Sequence, residues 1–183
     1  LTVGSDAVTV SGNADSIEAP STDGEYRFFV VDAVDNVSPA SMAKVVVDTT
    51  PPNSQDAVLA SNVVRNADST GPIDIGDSAE INGQIWLVPI ATTKADFPFT
   101  SSNTFKYTSS IDLFIDSPEL DGEYKLYVVD EAGNISDSSI AKVEIDTIIP
   151  SNQDSVFTTS DTVKVGTDIT ILDGDTDGTI TVS

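Results

Sequence analysis

A block of sequence that recurs without a gap constrains this chain more than any other feature. Asp23-Gly-Glu-Tyr-Arg-Phe-Phe-Val-Val-Asp32 returns 98 residues further on as Asp121-Gly-Glu-Tyr-Lys-Leu-Tyr-Val-Val-Asp130. The match runs on: Asp35-Asn36-Val37-Ser38 faces Gly133-Asn134-Ile135-Ser136, and Ala43-Lys44-Val45 faces Ala141-Lys142-Val143. Asp48-Thr49-Thr50-Pro51-Pro52 then faces Asp146-Thr147-Ile148-Ile149-Pro150, and Gln55-Asp56-Ala57-Val58 faces Gln153-Asp154-Ser155-Val156. Between residues 23–58 and 121–156, 19 of 36 positions are identical, more than coincidence supplies, so the chain is a tandem array. In this register residues 1–50 are the C-terminal part of one repeat, 51–148 a complete repeat and 149–183 the N-terminal part of the next. The unequal pieces read as a cut through a longer array. A second reading stays open, in which the head of one copy completes the tail of another by strand donation.

Each repeat is written for strands. Tyr26, Phe28 and Val30 alternate with Arg27, Phe29 and Val31, and Ala43, Val45 and Val47 alternate with Met42, Lys44 and Val46, with the Lys44 side facing water. Asn82-Gly83 sits between Ala79-Glu80-Ile81 and Gln84-Ile85-Trp86-Leu87-Val88, which predicts a two-residue hairpin turn. Phe105–Tyr107 and Ile111–Ile115 are further strand candidates, and no segment carries a helical period. About seven strands in roughly 100 residues predict an all-β fold, tandem immunoglobulin-like sandwiches with a period of 98 residues.

Composition removes whole classes of function. Across 183 residues there are 30 acidic and 8 basic side chains, a net charge of −22. A polyanion is held by lysine and arginine that displace its counterions, so nucleic acid is excluded as a partner, and an anionic membrane surface would repel the chain. Without cysteine or histidine there is no disulfide, thiolate nucleophile, Cys/His zinc site or Ser-His-Asp triad. Paired carboxylates remain, but acids that recur with the repeat do not read as a catalytic dyad, and no enzyme is expected. No apolar stretch is long enough to insert directly into a membrane as a helix.

The order of motifs in the middle copy resembles a known family. Asp121-Gly122-Glu123-Tyr124, then Val128-Val129-Asp130-Glu131-Ala132-Gly133-Asn134-Ile135-Ser136, then Val143-Glu144-Ile145-Asp146-Thr147 is similar to the bacterial immunoglobulin-like tandem repeats of large surface adhesins, which read DGxY, VxDxAGNxS and VxIDTTxP in that order. Ile148 and Ile149 depart from the last motif, and Val34-Asp35 stands in the first copy where Ala-Gly is usual, so a turn different in shape or in metal affinity is expected there. The resemblance implies a stalk or extender module of an adhesin, extracellular on the bacterial cell surface, with neighbouring repeats of the same chain as partners and calcium at the interdomain junctions.

The residues point to calcium independently. Asp23, Asp32, Asp35, Asn36, Asp48 and Asp56 in the first set, and Asp121, Asp130, Asn134, Asp146 and Asp154 in the second, fall at strand ends and turns. If they converge at the pole of a sandwich, carboxylates about 4 Å apart repel by about 1 kcal/mol in bulk water and more near protein. A hard divalent cation with oxygen ligands would offset that repulsion. The alternative is that these are ordinary turn residues that hydrogen-bond their own backbone. Asp173, Asp175 and Asp177, with Gly178 and Ile180, match the opening of a calcium loop, yet Ile169–Leu172 and Thr179–Val182 alternate like strands. A polar hairpin loop and a calcium-binding turn both stay open there.

Lesser features carry less. Asn36-Val-Ser38 and Asn134-Ile-Ser136 read as turn residues rather than glycan acceptors, Trp86 as core, and Tyr26 and Tyr124 as packing with a tethered hydroxyl. Two rival functions remain. One is a ligand-binding adhesin domain using Pro89–Thr104 with Phe97 and Phe99. The other is a self-assembling extracellular filament in which other copies of the chain are partners by strand complementation.

Overall fold

The computed structural model describes residues 7–12, 14–66, 71–77, 79–80, 82–100, 113–151, 163–166, 168–169 and 171, with the backbone alone of 105–108. Its strands in chain order are β1 (Gly24–Arg27), β2 (Lys44–Val47), β3 (Val63–Arg65), β4 (Ile73–Asp74), β5 (Gln84–Pro89), β6 (Phe105–Thr108), β7 (Phe114–Ile115), β8 (Gly122–Val129) and β9 (Val143–Ile145). A single helical turn, α1 (Gln55–Val58), and a 3₁₀ turn at Lys94–Asp96 are the helical elements among the described residues. The chain is strand-rich, as its period-two pattern predicts.

Strands β3 to β9 belong to the 51–148 repeat. Five of them form a mixed sheet in the order β3-β9-β8-β5-β6, and β4 pairs with β7 in a second, two-stranded sheet. All pairs are antiparallel except β3 with β9, where Val63 faces Val143 and Arg65 faces Ile145. Successive side chains of a strand point to opposite faces, so β5 and β8 each serve two packing regions. Ile85 and Leu87 of β5, Tyr124, Leu126 and Val128 of β8, and Val143 and Ile145 of β9 enter the main core with Ile73, Ile75 and Ile115. Val58 and Leu59, at the end of α1, close it. On the opposite face Val88, Phe99 and Tyr127 form a smaller cluster with Trp86, Phe97 and Ile135. Each fully buried aliphatic side chain in this arrangement contributes roughly 1.5–3 kcal/mol.

The Asn82-Gly83 turn differs from the expected hairpin. The closing hydrogen bond runs from Gly83 N–H to the Glu80 carbonyl (3.2 Å), so Asn82 is a central residue, in the left-handed region at φ 57°. Residues 79 and 80 are not in a strand, and β5 pairs with β6 and β8 instead. Glycine is required at 83 for closeness: a Cβ there would lie 2.5 Å from Glu80 Cβ and 3.1 Å from the Val129 carbonyl oxygen.

Residues 24–47 repeat the β8–β9 hairpin as β1–β2, with Tyr26 opposite Val45 just as Tyr124 is opposite Val143. Two serines stitch the connecting loop to the first strand in both copies. Leu126 N–H donates to Ser139 Oγ and Val128 N–H to Ser136 Oγ; Phe28 N–H donates to Ser41 Oγ and Val30 N–H to Ser38 Oγ. The tyrosine hydroxyls are tethered alike, Tyr124 to the Leu120 carbonyl (2.8 Å) and Tyr26 to the Thr22 carbonyl (2.7 Å). The environments are not alike. Leu126 and Val128 are fully buried, while their counterparts Phe28 and Val30 are 46% and 72% exposed.

Candidate cation site at the junction of two units

The acidic residues divide between the two ends of a unit. Strand β8 runs from Gly122 to Val129 and β9 returns antiparallel to it, so Asp121 and Asp146 lie at one end and Asp130 and Asn134 at the other. Eight residues at about 3.3 Å each put roughly 25 Å between those ends. Each set that sequence groups together is therefore split by folding. Asp23 and Asp48 likewise lie at one end of the first hairpin, and Asp32, Asp35 and Asn36 at the other.

Asp130 and Asp32 accept hydrogen bonds from their own turns. Asp130 Oδ1 accepts the N–H groups of Gly133 and Asn134 (both 2.8 Å), and its Oδ2 accepts Asn134 Nδ2–H (2.8 Å). Asp32 is held similarly, its Oδ1 accepting Asn36 N–H (2.8 Å) and, in place of the Gly133 bond, Val34 N–H (3.0 Å), and its Oδ2 accepting Asn36 Nδ2–H (2.7 Å); the bonds from Asn36 chiefly hold its carboxyl below the usual range. The two turns keep one shape despite the Val34-Asp35 departure. Asp35 takes up the left-handed backbone, φ 66°, that Gly133 adopts at φ 96°, a conformation aspartate tolerates better than most residues.

At the other end, Asp23 binds the start of the linker. Its Oδ1 accepts Thr49 N–H (2.8 Å) and Thr49 Oγ1–H (2.7 Å), its Oδ2 accepts Thr50 Oγ1–H (3.0 Å), and the threonine hydroxyls lower its pKa. Asp121 holds Thr147 in the same way. Asp48 Oδ1 accepts Thr50 N–H and Asp146 Oδ1 accepts Ile148 N–H. Asp56 is engaged inside the complete unit, where its Oδ1 accepts Ile140 N–H (2.7 Å). Asp154, Asp173, Asp175 and Asp177 lie outside the described residues.

Two units meet where Asn134 Nδ2–H donates to the Asp48 carbonyl (2.9 Å), a bond spanning 86 residues of sequence. The same place gathers negative charge. Partial burial, followed by the charges of Asp130 and Asp48, raises the Glu80 pKa above its ordinary value of 4.5. Asn82 Nδ2–H donates to Glu131 Oε2 (3.0 Å) beside it. Glu80 is absent from the repeat-based candidates because position 178, its counterpart at the same offset, is glycine. The junction therefore joins Asp48 of one unit to Glu80, Asp130 and Asn134 of the next.

Carboxylate and carbonyl oxygens are the donors that calcium takes. As they stand, however, no three acidic side chains among the described residues converge closely enough to cage a metal ion. The donor chemistry fits a hard cation, and the arrangement is not a finished cage. No protein-family model matches the chain, and no curated protein matches it.

Proposed function

We propose that this chain is a segment of the stalk of a bacterial cell-surface adhesin, a run of immunoglobulin-like sandwiches that spaces and orients rather than catalyses. The strand order, with β3 joining β9 in parallel at the edge of a sheet and β4 pairing β7 in another, supports the immunoglobulin-like reading. So does a tyrosine near the start of β8 whose hydroxyl returns to the backbone four residues upstream. The observation that carries the functional reading is the junction. Asn134 ties one unit to the linker of the previous one, and Asp48, Glu80 and Asp130 gather charge that a divalent cation would neutralise.

Calcium is the proposed ion. It would bind oxygen atoms contributed from both sides of the linker, and Pro51 and Pro52 restrict the backbone between them. Binding energy would then go into fixing the angle between units, so that stability follows free calcium by linkage. High negative charge would keep neighbouring stalks apart outside the cell. Phe97 and Phe99 pack edge-on against one another (5.4 Å between centroids) and against Trp86, which leaves them engaged in the fold rather than presented to a ligand.

Small-angle scattering and thermal melting of the 183-residue chain, in calcium and then in chelator, test the proposal. A longer, stiffer particle with a higher Tm in calcium is the expected result. Unchanged length and unchanged Tm would defeat it.

A further inference from the structure

Asn82-Gly83 is the one asparagine-glycine step in the chain; every other asparagine is followed by a residue that carries a side chain. With no Cβ to crowd it, a glycine nitrogen can close a cyclic imide onto the carboxamide before it, which makes this step chemically the most labile. The fold does not let the glycine go, because a Cβ at 83 would lie 2.5 Å from Glu80 Cβ. Position 82 is constrained as well. Its φ of 57° is in the left-handed region that asparagine, aspartate and glycine tolerate best, and Asn82 is exposed to the water the reaction needs.

Two hydrogen bonds restrain the reacting groups. Gly83 N–H, the nucleophile, donates to the Glu80 carbonyl (3.2 Å), a bond at the long end of the normal range. The Asn82 carboxamide, the electrophile, donates through Nδ2–H to Glu131 Oε2 (3.0 Å), which ties it to the loop after β8, 49 residues away in sequence. Asn134 stands in contrast: its amide hydrogens go to the Asp48 carbonyl and Asp130 Oδ2, and the residue after it is isoleucine.

We propose that Asn82 is a site of self-deamidation and that Glu131 is the positioning residue that sets its rate. Gly83 N gives up its proton and bonds to Asn82 Cγ, the Cγ–Nδ2 bond breaks, and the amide nitrogen leaves as ammonia. Water then opens the cyclic imide at one carbonyl or the other, leaving aspartate or isoaspartate. Overall, an amide and a water become a carboxylate and an ammonium ion. Ring closure requires the carboxamide to rotate onto Gly83 N, and the bond to Glu131 holds it against that rotation. The product has no donor for Glu131 Oε2. It sets one carboxylate against another at the end of the unit where Asn134 meets Asp48, and like charges that close repel. The proposal stands whether or not a cation binds at the junction.

The test ages the 183-residue chain in mildly alkaline buffer and quantifies aspartate and isoaspartate at each asparagine by peptide mapping. Asn82 should convert before the other asparagines, and more slowly than it does in a synthetic peptide of residues 79–86. Glu131→Ala should speed conversion at Asn82 about two- to tenfold, the factor that one hydrogen bond commands, and leave the other asparagines unchanged. Glu131→Gln keeps an acceptor and loses the charge, and should restore the slow rate. Amide exchange over residues 124–129 checks that the complete unit stays folded in both variants. An unchanged or slower rate in Glu131→Ala, earlier conversion at another asparagine, or equal acceleration at all of them would overturn the proposal. So would a Glu131→Gln protein that converts as fast as the alanine variant, because charge rather than the hydrogen bond would then set the rate.

Discussion

The hairpins β1–β2 and β8–β9 are nearly the same sequence in two surroundings. Their registers, serine stitches, tyrosine tethers and Asp-Asn turns coincide, while Phe28 and Val30 are exposed where Leu126 and Val128 are buried. Local conformation therefore travels with the segment, and burial depends on what the rest of the repeat supplies. The alternating pattern alone suffices for the hairpin; the main core requires β4, β5 and β7 as well.

The sharpest test of that separation is truncation at paired positions. Leu126→Ala should cost about 2–5 kcal/mol in denaturant unfolding followed by Trp86 fluorescence, through lost burial and a cavity. Phe28→Ala should stay within about 0.5 kcal/mol in the same measurement, as exposed positions do. Equal losses would erase the distinction.

The serine stitches come next. Ser136→Ala leaves the Val128 N–H buried without its acceptor and should cost about 1–3 kcal/mol, whereas Ser38→Ala exposes the Val30 N–H to water and should cost less than about 1 kcal/mol. Paired amide-exchange and unfolding measurements read the difference. Tyr124→Phe, which removes one hydroxyl bond to Leu120, should cost about 1 kcal/mol, with a smaller effect for Tyr26→Phe.

The smallest effect belongs to the junction charge. Because the folded-state pKa of Glu80 lies above 4.5, the folded protein holds that proton more tightly than the unfolded chain. Stability should therefore rise as pH falls through the raised value and gain nothing further from this group below 4.5. Asp23 and Asp32, lowered from 3.8, act oppositely: their contribution is present above 3.8 and is lost as pH falls through their folded values. Glu80→Gln in chelator should raise the Tm slightly at neutral pH, within the ~0–1 kcal/mol that exposed charges command, and flatten the slope just above pH 4.5. In calcium the same substitution should diminish the ion's effect on Tm.

Legibility followed sequence distance. Strands β8 and β9 were readable because alternation is a local signal and the repeat displays it twice. The tethered tyrosines were readable for the same reason. The parallel β3–β9 pair was not, since it joins residues 80 apart and leaves no local trace. The turn at 80–83 was misread because Asn-Gly is a hairpin signal only when strands on both sides pair with each other. Helical turn α1 is four residues long, too short to show a period. In the candidate site, Asp48, Asp130 and Asn134 were identified as chemistry but grouped by copy, whereas folding sorts them by end. Glu80 escaped because it is not repeated.

The parallel edge has a mechanical consequence. Val63 N–H bonds the Lys142 carbonyl and Asp146 N–H bonds the Arg65 carbonyl, so β3 and β9 lie side by side with the entering and leaving linkers at opposite ends. Tension along the array would load those rungs in shear, all together, rather than peeling them one after another. The unit would thereby be braced against force applied at its two ends.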